Sequence, residues 1–129
     1  VIGMGACTDS NYAYQYGLPG TFAPIADYDL LSRAVETAKR QGTDVVVGNV
    51  LSSDIFYNEM GNVNDLWRGM GVLAVEMEAA ALYMNAAKAG KKALCLLTIS
   101  DHLYTGERLS AEKRQLGFNK MMEIALELA

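Results

Sequence analysis

Residues 75–80 read Val-Glu-Met-Glu-Ala-Ala, and this stretch sets the fold of the chain around it. Two carboxylates, Glu76 and Glu78, follow the apolar run Val72–Val75 just before an alanine-rich helix begins. Acids at the carboxyl end of a strand face the crevice where open α/β sheets bind ligands. A carboxylate accepts hydrogen bonds from hydroxyl groups, so a polyhydroxylated ligand such as a sugar would suit this position.

Strands and helices alternate on both sides of this segment. The hydrophobic pattern predicts strands at Val1–Met4, Asp44–Val50, Val72–Val75 and Lys92–Ile99. It predicts helices at Asp27–Gln41, Val63–Met70, Ala79–Ala89 and Ala111–Leu128, the third ending at Gly90 and the last beginning at Ser110. We expect the last helix to bury Phe118, Met121, Met122, Ala125 and Leu128. The alternation indicates an α/β layer structure with a largely parallel sheet, and a single domain over residues 1–129.

A second acid stands at the end of a predicted strand. The run Lys92–Ile99 leads directly into Ser100 and Asp101, and Arg114 follows in the first turn of the last helix. A cation in that position opposes the helix macrodipole. Local inconsistencies of this kind collect at functional sites. We therefore expect Glu76, Glu78 and Asp101 to line one crevice at the carboxyl ends of the strands.

The composition excludes several classes of function. The chain has 129 residues, is 51% hydrophobic and carries a formal charge of −4. No basic stripe suggests a nucleic-acid partner, and no apolar run approaches the ~20 residues of a membrane span. Cys7 and Cys95 lack a metal-ligand spacing and indicate reduced thiols in a cytoplasmic protein. Because His102 is the single histidine, we expect no multi-histidine zinc site and no metal at all.

Four segments together resemble the nucleoside phosphorylase family, specifically the bacterial hexameric (DeoD-type) purine nucleoside phosphorylases. They are residues 1–10 (Val-Ile-Gly-Met-Gly-Ala-Cys-Thr-Asp-Ser), 75–80, 98–102 (Thr-Ile-Ser-Asp-His) and 112–115 (Glu-Lys-Arg-Gln). The resemblance runs across essentially all of the chain. It implies a three-layer α/β fold with a central mixed sheet flanked by helices. It also implies phosphorolysis of purine nucleosides to a free base and a sugar 1-phosphate.

The resemblance also implies roles for individual residues. Asp101 would act as the general acid on purine N7, and Arg114 would swing toward it when the last helix shifts. Glu78 would accept hydrogen bonds from the ribose hydroxyls, with Met77 packed on the sugar and Glu76 beside it. Phe56, Val75 and Leu103 would line the base pocket, and Tyr57 would lie near the sugar. Ser100 completes the set of substrate-binding residues.

One side of the family's active site has no counterpart here. The family's phosphate site uses a glycine-rich turn and arginines, but the chain has no such turn and no arginine before Arg33. Because the first residue is Val and the first strand is already in progress, we expect a processed chain or a piece of a longer one. The resemblance implies the C-terminal portion of one nucleoside phosphorylase domain, inactive on its own. It further implies inorganic phosphate as co-substrate without a cofactor, and a homo-oligomer that is a hexamer built as a trimer of dimers.

Other interpretations stay open at this point. The same motifs are compatible with a purine nucleosidase that uses water, with a uridine phosphorylase, and with a non-catalytic nucleoside-binding fragment. For single residues, Glu76 and Glu78 could simply decorate a helix N-terminus, and Asp101 could cap a turn. Arg114 could be an ordinary solvated helix residue.

Overall fold

A four-stranded mixed sheet forms the centre of the computed structural model, which describes residues 1–129 except for the side chain of Leu116. The strands are β1 (Ile2–Thr8), β2 (Val47–Ser52), β3 (Ala74–Glu76) and β4 (Cys95–Leu96), in the order β3-β2-β1-β4. The helices are α1 (Tyr28–Arg40), α2 (Val63–Gly69), α3 (Ala79–Ala89) and α4 (Ala111–Leu126), and a 3₁₀ turn spans Tyr12–Tyr16.

The sheet is parallel except at one edge. β2 pairs in parallel with both β1 and β3, whereas β4 pairs antiparallel with the start of β1. The mixed sheet that the resemblance implied is therefore confirmed. The strand predicted over Lys92–Ile99 is reduced to Cys95–Leu96, because only Ile2 and Gly3 offer it ladder partners.

Helices cover both faces of the sheet. On one face α3 packs Tyr83 and Met84 against Ala6 and Val50. On the other face α1 and α4 pack on Ile2, in a cluster completed by Ala34, Ala38 and Ile124. The three-layer arrangement follows directly, because each apolar face of a sheet has to be covered.

A bulge in β1 allows one strand to supply both cores. Ile2 and Ala6 are four residues apart and would share a face in a regular strand. The register with β2 shifts between Gly3 and Gly5, which inserts one extra residue and reverses the side-chain alternation. Ile2 consequently faces α1 and α4, while Ala6 faces α3.

The start of α4 is as predicted, but its buried face is not. Ser110 caps the helix by accepting a hydrogen bond from Lys113 N at 3.2 Å. The only fully buried residue among the described side chains of α4 is Ile124, and Phe118 and Met122 are exposed. The contact line passes through Gly117 and Ile124 because Thr98 and the α1 cluster meet the helix there. The observed buried face is therefore rotated by about one residue from part of the predicted face.

Tyr83 ties three elements together inside the sheet. Its side chain is 1% exposed, and its hydroxyl donates to the Gly3 carbonyl and accepts from Cys95 N, the latter at 2.9 Å. Gly3 and Cys95 are ladder partners, so the hydroxyl lies between the two strands. A Cβ at Gly3 would lie 3.3 Å from the tyrosine oxygen, so the glycine makes room for this contact.

Alkaline conditions are expected to destabilise the fold from about pH 9 upward. Burial raises the pKa of Tyr83 from 10.0 to about 12. Burial, followed by the charges of Glu76 and Glu78, raises the pKa of Cys95 from 9.0 to about 11. For each group, at pH values between its ordinary pKa and its raised pKa, the folded chain keeps a proton that the unfolded chain has released. The free energy of unfolding therefore falls as pH rises through this range. Urea unfolding at a series of pH values from 8 to 11 measures this slope.

The variant Cys95→Ala is the matched control for this titration. It removes the Cys95 thiol, which has the lower ordinary pKa of the two groups. The free energy of unfolding should then begin to fall near pH 10 instead of pH 9. A free energy of unfolding that stays constant from pH 8 to pH 11 in the unmodified chain would contradict the assignment.

No helix in the part of the chain that the structure describes is both long enough and apolar enough to cross a membrane.

Candidate active site

Polar side chains meet at the carboxyl ends of the three parallel strands. Thr8, Ser52 and Glu76 lie side by side in the ladder. The Thr8 hydroxyl donates to the Ser52 carbonyl at 2.7 Å, and the Ser52 hydroxyl donates to one oxygen of Glu76. This edge is the crevice that the sequence predicted for Glu76.

Glu76 caps the N-terminus of α3. Its second carboxylate oxygen accepts hydrogen bonds from the amides of Glu78 and Ala79, both at 2.7 Å. Ser52 Oγ accepts from Ala80 N at 2.8 Å, which satisfies a third amide of the first turn. A negative charge at this end also complements the helix macrodipole. Glu76 thus has the helix-terminus role that the sequence left open for it.

Glu78 is the exposed acid of the pair. It precedes α3 directly, and one of its oxygens accepts a hydrogen bond from Met77 N at 3.2 Å. A carboxylate has capacity for several further hydrogen bonds. Of the two acids in the segment, Glu78 is therefore the one placed to receive hydroxyl groups from a ligand.

Asp101 follows β4, the antiparallel strand at one edge of the sheet. Because β4 is antiparallel, the chain that follows it passes the amino-terminal end of β1, where Leu97 exchanges hydrogen bonds with Val1. Among the described side chains no hydrogen bond or ion pair joins Asp101 to Glu76 or Glu78, so the shared crevice stays a prediction. Periodicity identifies a strand but not its direction, which depends on the partner it pairs with.

Residues 100–109, which we call the acid turn, hold Asp101 by two side chains. Ser100 Oγ donates to one carboxylate oxygen at 2.6 Å, and Arg108 Nε lies 3.5 Å from the other. A bridge between Asp101 and Arg108 closes the turn. Within the described side chains the ion-pair partner of Asp101 is Arg108, because Arg114 Nε donates to the Leu109 carbonyl at 3.1 Å instead.

The apolar side chains predicted to bind the base and the sugar lie at the surface. Phe56 and Tyr57 are 74% and 88% exposed and pack edge to face with ring centroids 4.8 Å apart. Val75, Met77 and Leu103 are also exposed. The structure does not gather these residues around a closed cavity. A cavity of about 340 Å³ lies elsewhere, between the amino ends of β1 and β2 and helix α4, and is lined by none of them.

Sequence reasoning missed several polar residues at these two edges. Asp9 accepts hydrogen bonds from Ser53 Oγ at 2.7 Å and from Asp54 N at 2.9 Å. Ser52 and Arg108 contact the two acids directly. Ser52 and Asp9 could have been found by the rule that identified Glu76, since each follows an apolar strand. Arg108 carries no such signal, because only the closing of the turn brings it to Asp101.

Within the described residues, no group of three or more His, Cys, Asp or Glu side chains could hold a metal ion. Cys7 and Cys95 are both free thiols.

The comparisons with known proteins decide the family. The sequence model of the protein family described as "Phosphorylase superfamily" matches residues 2–128 of this chain. The chain belongs to the phosphorylase superfamily. The solved structure of purine nucleoside phosphorylase from Toxoplasma gondii in complex with immucillin-H matches 98% of the chain with a TM-score of 0.83. At 17% sequence identity this likeness establishes the phosphorylase fold alone.

Curated relatives in this superfamily match the whole chain. The proteins named purine nucleoside phosphorylase DeoD-type are 49% identical in Clostridium novyi, 50% in Shewanella baltica and 51% in Bacillus cytotoxicus. Each alignment covers 100% of this phosphorylase-superfamily chain and 55% of the relative. The chain therefore spans about half the length of the curated relatives that it matches.

Proposed function

We propose that this chain supplies the base- and ribose-binding side of a purine nucleoside phosphorylase. The observation that supports this most strongly is about 50% identity, over all 129 residues, to relatives named for that activity. In the proposed reaction, phosphate attacks C1′ of the nucleoside and the bond from C1′ to N9 breaks. Its electron pair goes to the purine, and the products are the free base and a sugar 1-phosphate.

Asp101 is proposed to be the general acid of this reaction. Negative charge accumulates on the departing purine, and a proton delivered to N7 lets the base leave neutral. A positioned acid of this kind contributes about 10²- to 10⁴-fold to the rate. The exposure of the acid turn supports the role, because Asp101 lies at the surface, where a ligand can reach it, and is held there by Ser100 and Arg108. Arg114, one turn into α4, is proposed to assist the transfer when that helix shifts.

The ribose is proposed to bind at the start of α3. Glu78 accepts hydrogen bonds from the 2′ and 3′ hydroxyls, and Met77 packs on the sugar. Glu76 keeps the amides of this turn in place through its two hydrogen bonds to them. Phe56, Val75 and Leu103 provide exposed apolar surface for the base, with Ser100 beside it and Tyr57 near the sugar.

Phosphate dependence distinguishes this proposal from hydrolysis. Inosine is incubated with the purified chain, and separately with a hybrid in which residues 1–129 replace the matching part of the Clostridium novyi relative. Hypoxanthine release by the hybrid only when phosphate is present supports the proposal. Release at the same rate without phosphate indicates a nucleosidase, and saturable binding without release indicates a non-catalytic module. Release from uridine at a higher rate than from inosine indicates a uridine phosphorylase.

Glu78→Gln is expected to weaken inosine binding by about tenfold or more, since hydrogen bonds to a charged group contribute ~1.5–3 kcal/mol. Binding of hypoxanthine, which has no sugar, should be nearly unchanged. Isothermal titration of both ligands against the hybrid measures the difference. The matched control is Glu36→Gln, an exposed acid on α1. Equal losses for both ligands would argue against a ribose role for Glu78.

We also propose that the protein works in the cytoplasm as a homo-hexamer, a trimer of dimers, without a cofactor. Large exposed apolar side chains support self-association, among them Met60, Leu66 and Met70. Sedimentation velocity tests this assembly, and a hybrid that is monomeric at micromolar concentration would contradict it.

A further inference from the structure

The acid turn is anchored on helix α2 by a single aromatic side chain. The guanidinium of Arg68 lies over the ring of Tyr104, 4.4 Å from the ring centroid. Partial burial, followed by the neighbouring Asp65 carboxylate, raises the pKa of the Tyr104 hydroxyl. Arg68 belongs to α2, so a side chain of the acid turn meets a cation of that helix. A cation over an aromatic face is attracted by the ring quadrupole.

Tyr104 is also fixed within the acid turn. Nδ1 of His102 accepts hydrogen bonds from the amides of Tyr104 and Thr105, at 3.3 and 3.1 Å. The His102 and Tyr104 rings pack edge to face with centroids 6.3 Å apart. His102 is the residue next to Asp101, and its own amide donates to the Glu107 carbonyl at 2.8 Å. A displacement of Tyr104 is therefore passed through His102 to the backbone of Asp101.

We infer that Tyr104 is a positioning residue for Asp101, acting with Arg68 to hold the acid turn against α2. The inference rests on the proposed function, because it assigns Tyr104 a part in placing the general acid. It also connects the acid to the loop that carries Phe56 and Tyr57, since that loop leads directly into α2.

The kinetic test uses the hybrid enzyme and compares Tyr104→Leu, Tyr104→Phe and Arg68→Gln. Tyr104→Leu is expected to lower kcat by about 10- to 10²-fold with little change in KM, because a small misplacement of a reacting group has costs of this size. Tyr104→Phe keeps the ring under Arg68 and should restore most of the rate. Arg68→Gln combined with Tyr104→Leu should cost little more than Tyr104→Leu alone, because the two act through one contact. The control is Tyr14→Leu, which removes a tyrosine that is 83% exposed.

The spectroscopic test uses the 129-residue chain labelled with ¹³C and ¹⁵N. Arg68→Gln should shift the Asp101 carboxyl signal and the acid-turn amides, although Arg68 is on another element. The two ways of failing are distinct. An unmodified hybrid that releases no hypoxanthine contradicts the proposed function, and the Asp101 signal then decides the anchoring by itself. An active hybrid whose kcat is unaffected by Tyr104→Leu, or an Asp101 signal unaffected by Arg68→Gln, overturns the inference.

Discussion

Replacing Asp101 with asparagine is expected to slow phosphorolysis of inosine and adenosine by the hybrid enzyme by about 10²- to 10⁴-fold. The asparagine amide can still form a hydrogen bond with the purine but cannot deliver a proton to N7. Nucleoside binding should therefore be retained while kcat falls. Steady-state rates of base release, measured together with nucleoside affinity, separate the two effects.

Two matched variants show whether the loss comes from the acid itself. Glu107→Gln removes a carboxylate from the same turn and should leave the rate near that of the unmodified hybrid. Arg108→Gln removes the ion pair with Asp101 and keeps the acid. That pair is exposed and contributes only ~0–1 kcal/mol, so the turn should stay folded. An Asp101→Asn hybrid with unchanged turnover would remove Asp101 from the mechanism.

Tyr83→Phe is expected to reduce the free energy of unfolding by about 2–4 kcal/mol. The change removes one hydroxyl but leaves two buried backbone groups without it, the Gly3 carbonyl and the Cys95 amide. Each buried polar group that loses its partner costs ~1–3 kcal/mol. The ring itself remains and continues to fill the core beside Val50 and Met84. Urea unfolding monitored by circular dichroism measures the loss.

The control for this variant is Tyr14→Phe, which removes a hydroxyl from an exposed ring and should change stability little. A loss below ~0.5 kcal/mol in Tyr83→Phe would show that β1 and β4 close together and form the missing ladder hydrogen bond themselves. The Tyr83 hydroxyl would then be a spacer between two strands, and its buried hydrogen bonds would add little to stability.

Most of the elements could be predicted from local sequence. The helix at Ala79–Ala89 has the predicted bounds, and the glycine after it adopts a left-handed conformation with φ 62°. The cap at Ser110 forms through the short-range hydrogen bond that such a residue favours. These features could be predicted because the residues that cause them lie close together along the chain.

The candidate site was predicted less completely. The sequence identified Glu76 as an acid at a strand end, but its contact with Ser52 joins residues 24 positions apart. The resemblance implied that Arg114 would swing toward Asp101 when the last helix shifts, and in this structure the ion-pair partner of Asp101 is Arg108. The Ser52 contact joins two different strands, and the Arg108 contact depends on the closing of the acid turn, so no local pattern encodes either.

By itself, the sequence determined the α/β class, the positions of the helices and the family resemblance, because hydrophobic period, capping residues and motif spacing are local properties. The tertiary structure alone decided that β4 runs antiparallel, and hence that the chain leading to Asp101 passes the amino end of β1. It also decided that the bulge between Gly3 and Gly5 gives β1 a side chain in each core. Strand direction and register are fixed by which surfaces can be buried together, and that is a property of the whole chain.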